Sequence, residues 1–321
     1  MRIGLLADVH ANLDALRAVL ADGADRVTHW WFLGDAVGRG PAPIETLHLL
    51  RQQVHTRHWL VGNHDLYVTG LLPAGNARNA DRYTWHDHRR RLKAYRPDGR
   101  RPRLWEWCRR TWQLERARPR LIRAKGADCW LVHAALGDSR FNVGDVPTYS
   151  YGFPWQDVGQ RVIRRQQFEQ LDALRQRPGR TVILIHGHTH LPYLAVQLWG
   201  WDDDMLFPIR YGEPQRLDQF RAVLINPGSV GLPRNCDALV HAAYGILDTE
   251  ASTFEFRRVR YDSEPTRLAM ASLGYDISLI RQLEPNDEGN HFRQTDAVCL
   301  EWQRTYRPTP WGWEPIVEMK T

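Results

Sequence analysis

Short apolar runs alternate with amphipathic stretches through the first part of the chain. The runs at residues 3–7, 27–33 and 56–61 predict three β-strands. Apolar residues at helical spacing over residues 12–20 and 44–50 predict the two helices that join these strands. This β-α-β-α-β order indicates a parallel sheet with helices on its faces.

The pattern is less regular farther along the chain. Residues 66–80, with Pro, Gly and two Asn, predict a loop, and residues 81–95 and 103–118 predict two helices. Residues 138–158 are rich in Gly, Pro, Tyr and Trp, which is typical of an ordered loop or lid. The remaining runs predict a helix at 159–175 and strands at 128–132, 181–185, 193–198, 222–225, 239–248 and 253–259. We expect the later strands, at 193–198, 222–225, 239–248 and 253–259, to form a second sheet.

Composition narrows the class of protein without identifying it. The 321 residues are enough for a large buried core in one or two domains. No apolar run approaches the roughly 20 residues of a membrane span, and the N-terminal stretch does not resemble a signal peptide. The four cysteines are scattered, which predicts reduced thiols rather than a disulfide framework. We therefore expect a cytoplasmic protein with no membrane partner.

Positive charge is concentrated in one segment. Residues 78–123 contain fifteen Arg and one Lys against five acidic residues, a net +11, whereas the whole chain carries +6. Arginine suits bidentate contact with phosphate, so the segment predicts a nucleotide or nucleic-acid partner. Four tryptophans accompany the arginines and would either stack on bases or pack against the main domain: Trp85, Trp105, Trp107 and Trp112. Alternatively, the arginines pair with the acidic remainder of the chain, within one molecule or across a dimer.

Candidate metal ligands occur at or just after several of the predicted strands. They stand in five segments: Asp8-Val9-His10, Gly34-Asp35, Gly62-Asn63-His64-Asp65, His133 and Gly187-His188-Thr189-His190. Oxygen and imidazole donors at the ends of neighbouring strands can converge on one point in space. Such a set can hold two divalent metals a few ångströms apart, and two such metals activate water for attack on phosphorus.

These five segments together resemble the calcineurin-like metallophosphoesterase superfamily. The chain is most similar to a bacterial, phosphodiesterase-like branch, through the Gly-Asp-Ala-Val-Gly-Arg-Gly-Pro stretch at residues 34–41 and the Asn-Pro-Gly-Ser-Val-Gly-Leu-Pro-Arg stretch at residues 226–234. The resemblance implies an α/β fold, a four-layer α-β-β-α sandwich with helical and loop insertions. It predicts a catalytic domain over residues 1–280, with insertions near 70–125 and 138–158. Residues 281–321 would then be a C-terminal extension.

The resemblance also implies a role for each motif residue. It assigns Asp8, His10 and His190 to one metal and Asn63, His133 and His188 to the other, and Asp35 bridges the two. Mn²⁺ is the first expectation for both ions, and Fe, Ni, Co or Zn also suit such a mixed nitrogen and oxygen set.

Four further residues are candidates for binding or turnover. The resemblance implies that His64 protonates the leaving oxygen or stabilises charge on the phosphoryl group, and Asp65 would orient it. Arg39 and Arg234 would either clamp a phosphate oxygen or form surface ion pairs. We expect His186 to be a core residue or to lie behind the ligands, and His88 to lie on a solvated helix face.

The expected reaction is phosphodiester hydrolysis by a hydroxide that the dinuclear metal centre activates, with a nucleotide or nucleic acid as substrate. A dinucleoside polyphosphate or a phosphomonoester is the alternative substrate. A non-catalytic binding scaffold on the same fold is disfavoured because every ligand is retained. The sequence leaves the natural substrate and the oligomeric state open.

Overall fold

The computed structural model describes residues 1–73, 77–97, 103–113, 118–136, 161–201, 203–234, 239–285, 306–309 and 312–315. Its helices are α1 (Leu13–Gly23), α2 (Pro43–Gln53), α3 (Asn63–Thr69), α4 (Asn79–Ala94), α5 (Arg103–Thr111), α6 (Arg161–Ala173), α7 (Glu264–Ser272) and α8 (Ile277–Ile280). Its strands are β1 (Arg2–Leu6), β2 (His29–Phe32), β3 (Arg120–Arg123), β4 (Ala127–Leu131), β5 (Thr181–Ile185), β6 (Tyr193–Gln197), β7 (Asp204–Leu206), β8 (Pro214–Arg216), β9 (Ala222–Asn226), β10 (His241–Asp248), β11 (Thr253–Arg260), β12 (Tyr306–Thr309) and β13 (Gly312–Pro315).

The strands form two mixed sheets and a separate hairpin of β12 and β13. The first sheet has the order β2-β1-β10-β11-β8, in which β1 is parallel to β2 and antiparallel to β10. The second has the order β3-β4-β5-β9-β6-β7, with β4, β5 and β9 parallel. The predicted parallel opening is therefore present for β1 and β2. The expectation that the later strands form the second sheet holds for β6 and β9 and is wrong for β10 and β11, which pair beside β1 in the first sheet.

The two sheets pack face to face, and alternate residues of their strands fill the space between them. Ile3 and Leu5 of β1 lie in the same buried cluster as Ile183 and Ile185 of β5 and Phe254 of β11. Because successive side chains of a strand point to opposite faces, the intervening residues are left for a second contact with helices. Burial on both faces explains why these strands are almost wholly apolar in sequence.

Helices cover the two outer faces of this sandwich. On the first sheet, α1, α2, α4 and α5 share one buried cluster with Leu6 of β1 and Phe32 of β2. On the second sheet, Phe168 and Leu171 of α6 pack against Val182 and Leu184 of β5. The predicted four-layer α-β-β-α fold is confirmed. Within the residues described, no helix has both the length and the apolar character that a membrane crossing demands.

The segment predicted as a third strand is largely a turn. Residues Thr56–His58 form a 3-10 helix, and only Trp59 makes a parallel bridge to Phe32 of β2. The His55 side chain accepts from the Arg57 N–H and favours the turn over a continued strand. The predicted loop at residues 66–80 is also wrong in part, because α3 runs to Thr69.

Helix α4 is fixed on two sides. Arg89 donates to the carbonyls of Tyr67 and Val68 at the end of α3, at 2.8 and 2.6 Å. Arg91 donates to the Pro41 carbonyl at 2.6 Å. On the other side, the Tyr275 hydroxyl donates to Asp87 at 2.8 Å. The Arg91 contact holds α4 against residues 38–41, the loop that follows Asp35, while the other contacts tie the helix to α3 and to Tyr275.

Candidate metal centre

The loops at the carboxyl ends of the central strands bring the seven predicted ligands together. Asp8 and His10 follow β1, Asp35 follows β2, His133 follows β4, and His188 and His190 follow β5. Asn63 is the first residue of α3, so its amide reaches the centre from a helix N-terminus rather than from a strand end. All seven side chains are buried, with exposures between 0 and 6 %.

Five of these ligands have backbone conformations that L-residues rarely adopt. The φ angles are 55° at Asp8, 49° at His10, 61° at Asp35, 65° at His188 and 64° at His190. Left-handed backbone at a non-glycine residue costs on the order of 1 kcal/mol and clusters at functional sites. The loops therefore turn sharply after each strand and direct the ligand side chains inward.

Asp35 occupies the middle of the cluster. Its Oδ2 lies 3.6 Å from Nε2 of His10 and 3.4 Å from Nε2 of His133. The Asn63 Oδ1 atom lies 3.1 Å from Nε2 of His133 and 2.9 Å from Nδ1 of His188. The ligand atoms form three overlapping groups, each within 4.8 Å: Asp8, His10 and His190; His10, Asp35 and His64; Asp35, His133 and His188. One carboxylate oxygen is thus shared between two groups of donors.

Close backbone approach lets Asp35 reach this position. A Cβ atom on Gly62 would lie 2.0 Å from Oδ1 of Asp35. Glycine is therefore required where the chain passes the carboxylate. The same Oδ1 atom of Asp35 also accepts a hydrogen bond from the His64 N–H at 2.8 Å. These contacts leave Oδ2 directed at the histidines.

Three histidines are oriented by backbone carbonyls behind them. The Nδ1 atoms of His10, His133 and His190 lie 3.2, 2.9 and 2.7 Å from the carbonyl oxygens of Val37, Leu33 and Leu232. Because a carbonyl only accepts, each Nδ1 carries the proton. In the neutral form each ring presents a lone pair on Nε2 to the centre, as metal-binding histidines do.

Two details show that the donor set fits cations. The Nε2 atoms of His10 and His190 face each other at 3.0 Å, although both are acceptors in these tautomers. Oδ1 of Asp8 is buried without a hydrogen-bond partner among the described residues, and it lies 3.6 Å from Nε2 of His190. Facing lone pairs and an unpartnered carboxylate oxygen are costly unless a positive charge lies between them. The cluster is therefore suited to divalent metal ions.

Burial and mutual charge govern protonation among these groups. Burial alone would raise the pKa of Asp35, but His133 outweighs it and lowers this pKa to about 2. Burial opposes protonation of His133, whereas the charge and hydrogen bond of Asp35 raise its pKa to about 9. Burial raises the pKa of Asp8 to about 7. A metal ion at these atoms would therefore compete with protons, above all the one on His133.

Asp65 contacts the backbone of the ligand loops rather than His64. Its Oδ2 accepts from the N–H groups of Asp35 and Gly62 at 3.0 and 3.1 Å. Its Oδ1 accepts from Ala36 at 2.9 Å. Within the described residues the carboxylate accepts only from backbone N–H groups, so the expectation that it orients His64 is wrong. Asp65 instead ties the loop after β2 to the start of α3.

His64 receives its orientation from helix α4. The indole N–H of Trp85 donates to Nδ1 of His64 at 2.8 Å. His64 also packs edge-on against His10, with ring centroids 4.7 Å apart. Burial, followed by the charges of Arg39 and nearby histidines, lowers the pKa of His64 well below its usual value. The ring is therefore neutral at pH 7 and carries its proton on Nε2.

Neither Arg39 nor Arg234 is on the surface, since their exposures are 3 and 6 %. The charges of both arginines lower the pKa values of His64 and His190, behind the effect of burial, so both guanidinium groups act on these two rings. The Arg39 Nε atom lies 3.0 Å from Oδ1 of Asp81 on α4. Nη1 of Arg39 has no hydrogen-bond partner within the part of the chain that the structure describes.

Two other histidines have structural positions. The prediction that His88 is solvated is wrong, because it is fully buried between α4 and residues 38–41. Its Nδ1 accepts from the Gly38 N–H at 3.0 Å and its Nε2 donates to the Gly40 carbonyl at 2.8 Å. His186 is buried beside the Tyr193 hydroxyl and the Gly187 carbonyl, as expected for a residue behind the ligands.

Sequence reasoning gave no role to two residues of the 226–234 stretch. Asn226 donates to the Gly187 carbonyl at 2.8 Å and to the Thr189 hydroxyl at 2.7 Å, which shapes the loop that carries His188 and His190. The Ser229 hydroxyl donates to the Asp8 carbonyl at 2.8 Å. The stretch therefore positions ligands on two strands, and its small polar residues were the available signal.

Comparison with known proteins decides the family. The sequence model described as calcineurin-like phosphoesterase matches residues 1–214. This chain belongs to the calcineurin-like phosphoesterases. It is accordingly a hydrolase that acts on phosphoric ester bonds, in a family that uses dinuclear divalent metals.

Its relatives include proteins with and without a stated activity. An uncharacterized protein of Methanocaldococcus jannaschii is 28 % identical over 81 % of this phosphoesterase and 88 % of its own length. The symmetrical bis(5′-nucleosyl)-tetraphosphatase of Yersinia enterocolitica is 39 % identical, but only over 77 residues, which are 23 % of this chain and 26 % of that protein. The phosphoesterase thus spans about a quarter of that enzyme.

Solved structures show the same fold. A metallophosphoesterase from Sphaerobacter thermophilus superposes with a TM-score of 0.60 at 28 % identity, covering 88 % of this phosphoesterase and 98 % of that chain. A hypothetical protein from Pyrococcus horikoshii gives a TM-score of 0.57 at 14 % identity, covering 89 % and 98 %.

Proposed function

We propose that this phosphoesterase hydrolyses phosphodiester bonds in compact, nucleotide-like substrates. The observation that carries the proposal is the position of Asp35, whose Oδ2 lies 3.6 Å from His10 and 3.4 Å from His133. An oxygen shared between two groups of donors is the arrangement that two neighbouring cations require.

The residues fit two divalent cations, which would occupy the two sides of Asp35. The proposed ligands are Asp8, His10 and His190 on one side, Asn63, His133 and His188 on the other, and Asp35 between them. When bound, the cations would lower the pKa of a water molecule and neutralise charge on the phosphoryl group. Mn²⁺ is our first choice, and the donor set also suits Fe, Ni, Co or Zn.

The chain's own cations would bind and orient the ester. Arg39 and Arg234 would form a clamp on the phosphoryl oxygens. Their burial and the effect of their charges on His64 and His190 support this role. The unpartnered Nη1 of Arg39 offers a donor for such an oxygen.

His64 would donate a hydrogen bond from Nε2 rather than a proton. Its Nδ1 already accepts from the Trp85 indole, so a proton on Nδ1 would point at the indole N–H. A neutral imidazole is a very weak acid, so stabilisation of phosphoryl charge is the better of the two roles expected for this residue.

The packing of residues 78–123 favours a compact substrate over a long nucleic acid. Arg89 and Arg91 donate to backbone carbonyls, and Trp85, Trp105 and Trp112 are between 0 and 9 % exposed. These groups are therefore committed within the molecule. Binding of nucleic acid through residues 78–123 stays a prediction, and it would have to use exposed arginines of α5 such as Arg109 and Arg110.

Dinucleoside polyphosphate hydrolysis is the second candidate. Two buried guanidinium groups beside one centre would suit a substrate with more than one phosphate. The local similarity to a symmetrical bis(5′-nucleosyl)-tetraphosphatase also favours it.

The test is a metal analysis followed by a substrate panel. Full-length protein would be stripped with a chelator, reloaded with Mn²⁺ and assayed on bis-p-nitrophenyl phosphate, p-nitrophenyl phosphate, diadenosine tetraphosphate and short DNA and RNA. We expect two metal equivalents, metal-dependent hydrolysis, and faster turnover of the diester than of the monoester. A preference for the tetraphosphate would select the second candidate. Two bound metals with no hydrolysis of any substrate would contradict both.

A further inference from the structure

His64 differs from three of the proposed ligands in what lies behind its ring. In His10, His133 and His190 a carbonyl faces Nδ1, so Nδ1 carries a proton and Nε2 is the acceptor of the neutral ring. In His64 an indole N–H faces Nδ1 at 2.8 Å. An indole nitrogen only donates, so here Nδ1 is the acceptor and Nε2 carries the proton. At the centre, Nε2 of His64 is therefore a hydrogen-bond donor, whereas Nε2 of the other three histidines is an acceptor in the neutral ring.

Trp85 is held firmly enough to impose this state. Its ring stacks on Tyr67 with centroids 4.3 Å apart, and it meets the His64 ring edge-on at 5.3 Å. The neighbouring Thr84 hydroxyl lies against the Gly38 carbonyl, and His88 on the next turn accepts from the Gly38 N–H. The loop also lies close to this ring, because a Cβ atom at Gly38 would come within 2.4 Å of the same Nδ1 atom. The imidazole is thus confined between a helix and a loop.

We propose that Trp85 is a positioning residue that fixes His64 as a hydrogen-bond donor and prevents it from acting as a metal ligand. His64 is grouped with His10 and Asp35 by distance, so orientation and not position separates it from the ligands. A neutral ring with its proton on Nε2 has no lone pair to offer a cation there. The same N–H is available to an oxygen of the substrate.

The tautomer is tested directly by nitrogen NMR. Protein labelled with ¹⁵N-histidine and loaded with diamagnetic Zn²⁺ would be compared as wild type, Trp85→Phe and His64→Ala, the last variant assigning the signal. We expect His64 in the wild type to show a protonated Nε2 and an unprotonated Nδ1. In Trp85→Phe we expect the two shifts to move towards each other as both tautomers become populated. A wild-type His64 with its proton on Nδ1 overturns the proposal.

The kinetic test of Trp85 rests on the proposed function and uses a double-mutant cycle. Trp85→Phe should lower kcat on a generic diester roughly tenfold, the lower end of the loss when an orienting partner is removed at a metal site. KM and metal content should hardly change. In a His64→Ala background the same substitution should have no further effect on kcat, because its action passes through His64. An undiminished effect in that background assigns Trp85 a merely structural role and overturns the proposal.

Trp59→Phe is the matched control. Trp59 is also buried, and its indole N–H also donates a hydrogen bond, in this case to the Val54 carbonyl at 3.2 Å. This variant should lose a similar amount of stability and leave the His64 signals in place. If Trp59→Phe moved the His64 shifts equally, the effect of Trp85 would be general loosening and the proposal would fail. Absence of any hydrolysis in the wild type would refute the proposed function, while the NMR comparison would still decide the tautomer.

Discussion

The loops that carry the predicted ligands and helix α4 both line the same centre, but they differ in backbone regularity and in the groups they supply. The loops hold charged and imidazole groups in strained backbone, with five ligands at positive φ. Helix α4 is regular, and its buried face carries Asp81, Thr84, Trp85 and His88 towards the loop after Asp35. The loops supply the atoms that would bind metal, whereas α4 determines how Arg39 and His64 are presented. A complete motif set therefore predicts the ligands of this site but not the groups that surround them.

The charged groups of the two regions also have different partners. Asp8 and Asp35 lie within a few ångströms of several imidazoles, and their pKa values shift in opposite directions. The arginines of α4 mostly contact carbonyls or Asp87. A dense basic segment is thus partly a means of attaching a helix. Its net charge overstates what is available to a partner.

Asp35→Asn should have the largest effect of any single change. It removes the negative charge shared by the two groups of donors, so cations there would repel each other without compensation. We expect loss of at least one metal equivalent and of nearly all hydrolysis, measured by metal analysis and turnover of a generic diester. Asp65→Asn is a useful contrast, because it should weaken the loop contacts while leaving the shared ligand. Full metal occupancy and activity in Asp35→Asn would remove Asp35 from the bridging position.

His64→Ala should keep both metals and lower kcat by roughly 10²–10³-fold, the range for loss of one donor to a developing anion. The loss should be similar for nitrophenyl and alkyl leaving groups, since a donor from Nε2 acts on phosphoryl charge. Turnover of paired diesters with good and poor leaving groups would measure it. A much larger loss with the alkyl ester would restore the role of a proton donor to the leaving oxygen.

Arg89→Glu combined with Arg91→Glu should destabilise the fold by about 2–4 kcal/mol, because each arginine donates to buried carbonyls. Arg109→Glu combined with Arg110→Glu makes the same charge change at exposed positions of α5 and should cost less than about 1 kcal/mol. Urea unfolding of the two variants gives the comparison. If instead the first variant kept its stability and lost affinity for an oligonucleotide, these arginines would be a nucleic-acid surface.

Acid should loosen α4 through His88. Burial lowers the pKa of His88 to about 4, and the unfolded value is near 6.5. The unfolded chain therefore binds the proton more tightly. This contribution to stability is complete above pH 6.5 and is lost as pH falls towards 4, by up to about 3 kcal/mol. The pH dependence of urea unfolding should be flatter over this window in His88→Gln. An equally steep profile in that variant would assign the dependence to other buried groups.

Arg234→Ala should have the smallest effect, roughly a tenfold loss of kcat/KM with unchanged metal content, since it removes one charged contact to phosphate. Arg210→Ala is the matched control, because Arg210 forms an exposed pair with Glu213, with side chains 58 and 59 % exposed. Such pairs contribute about 0–1 kcal/mol, and Arg210 is not part of the centre. Equal kinetics in the two variants would show that Arg234 does not touch substrate.

The sequence alone determined the frame of this protein. Short apolar runs located the central strands because strands buried on both faces must be apolar throughout. The motifs after those strands predicted Asp8, Asp35, His133 and His188 as metal ligands, and the structure brings these side chains together because the carboxyl ends of neighbouring strands meet at one edge. The four-layer architecture was implied by the resemblance of the five motif segments to a known family, and the structure confirms it.

Only the tertiary structure decided what surrounds the ligands. Nothing local distinguishes a tryptophan that donates to His64 from one that stacks on a base, or a buried His88 from a solvated one. Those outcomes depend on which face of α4 meets residues 38–41, and that contact joins segments about 50 residues apart in sequence. For the same reason, the Asp65 carboxylate accepts hydrogen bonds from backbone N–H groups of the Asp35 loop rather than from its neighbour His64. Hydrogen-bond direction and side-chain burial are properties of the packed chain, because each requires a partner that the sequence does not place nearby.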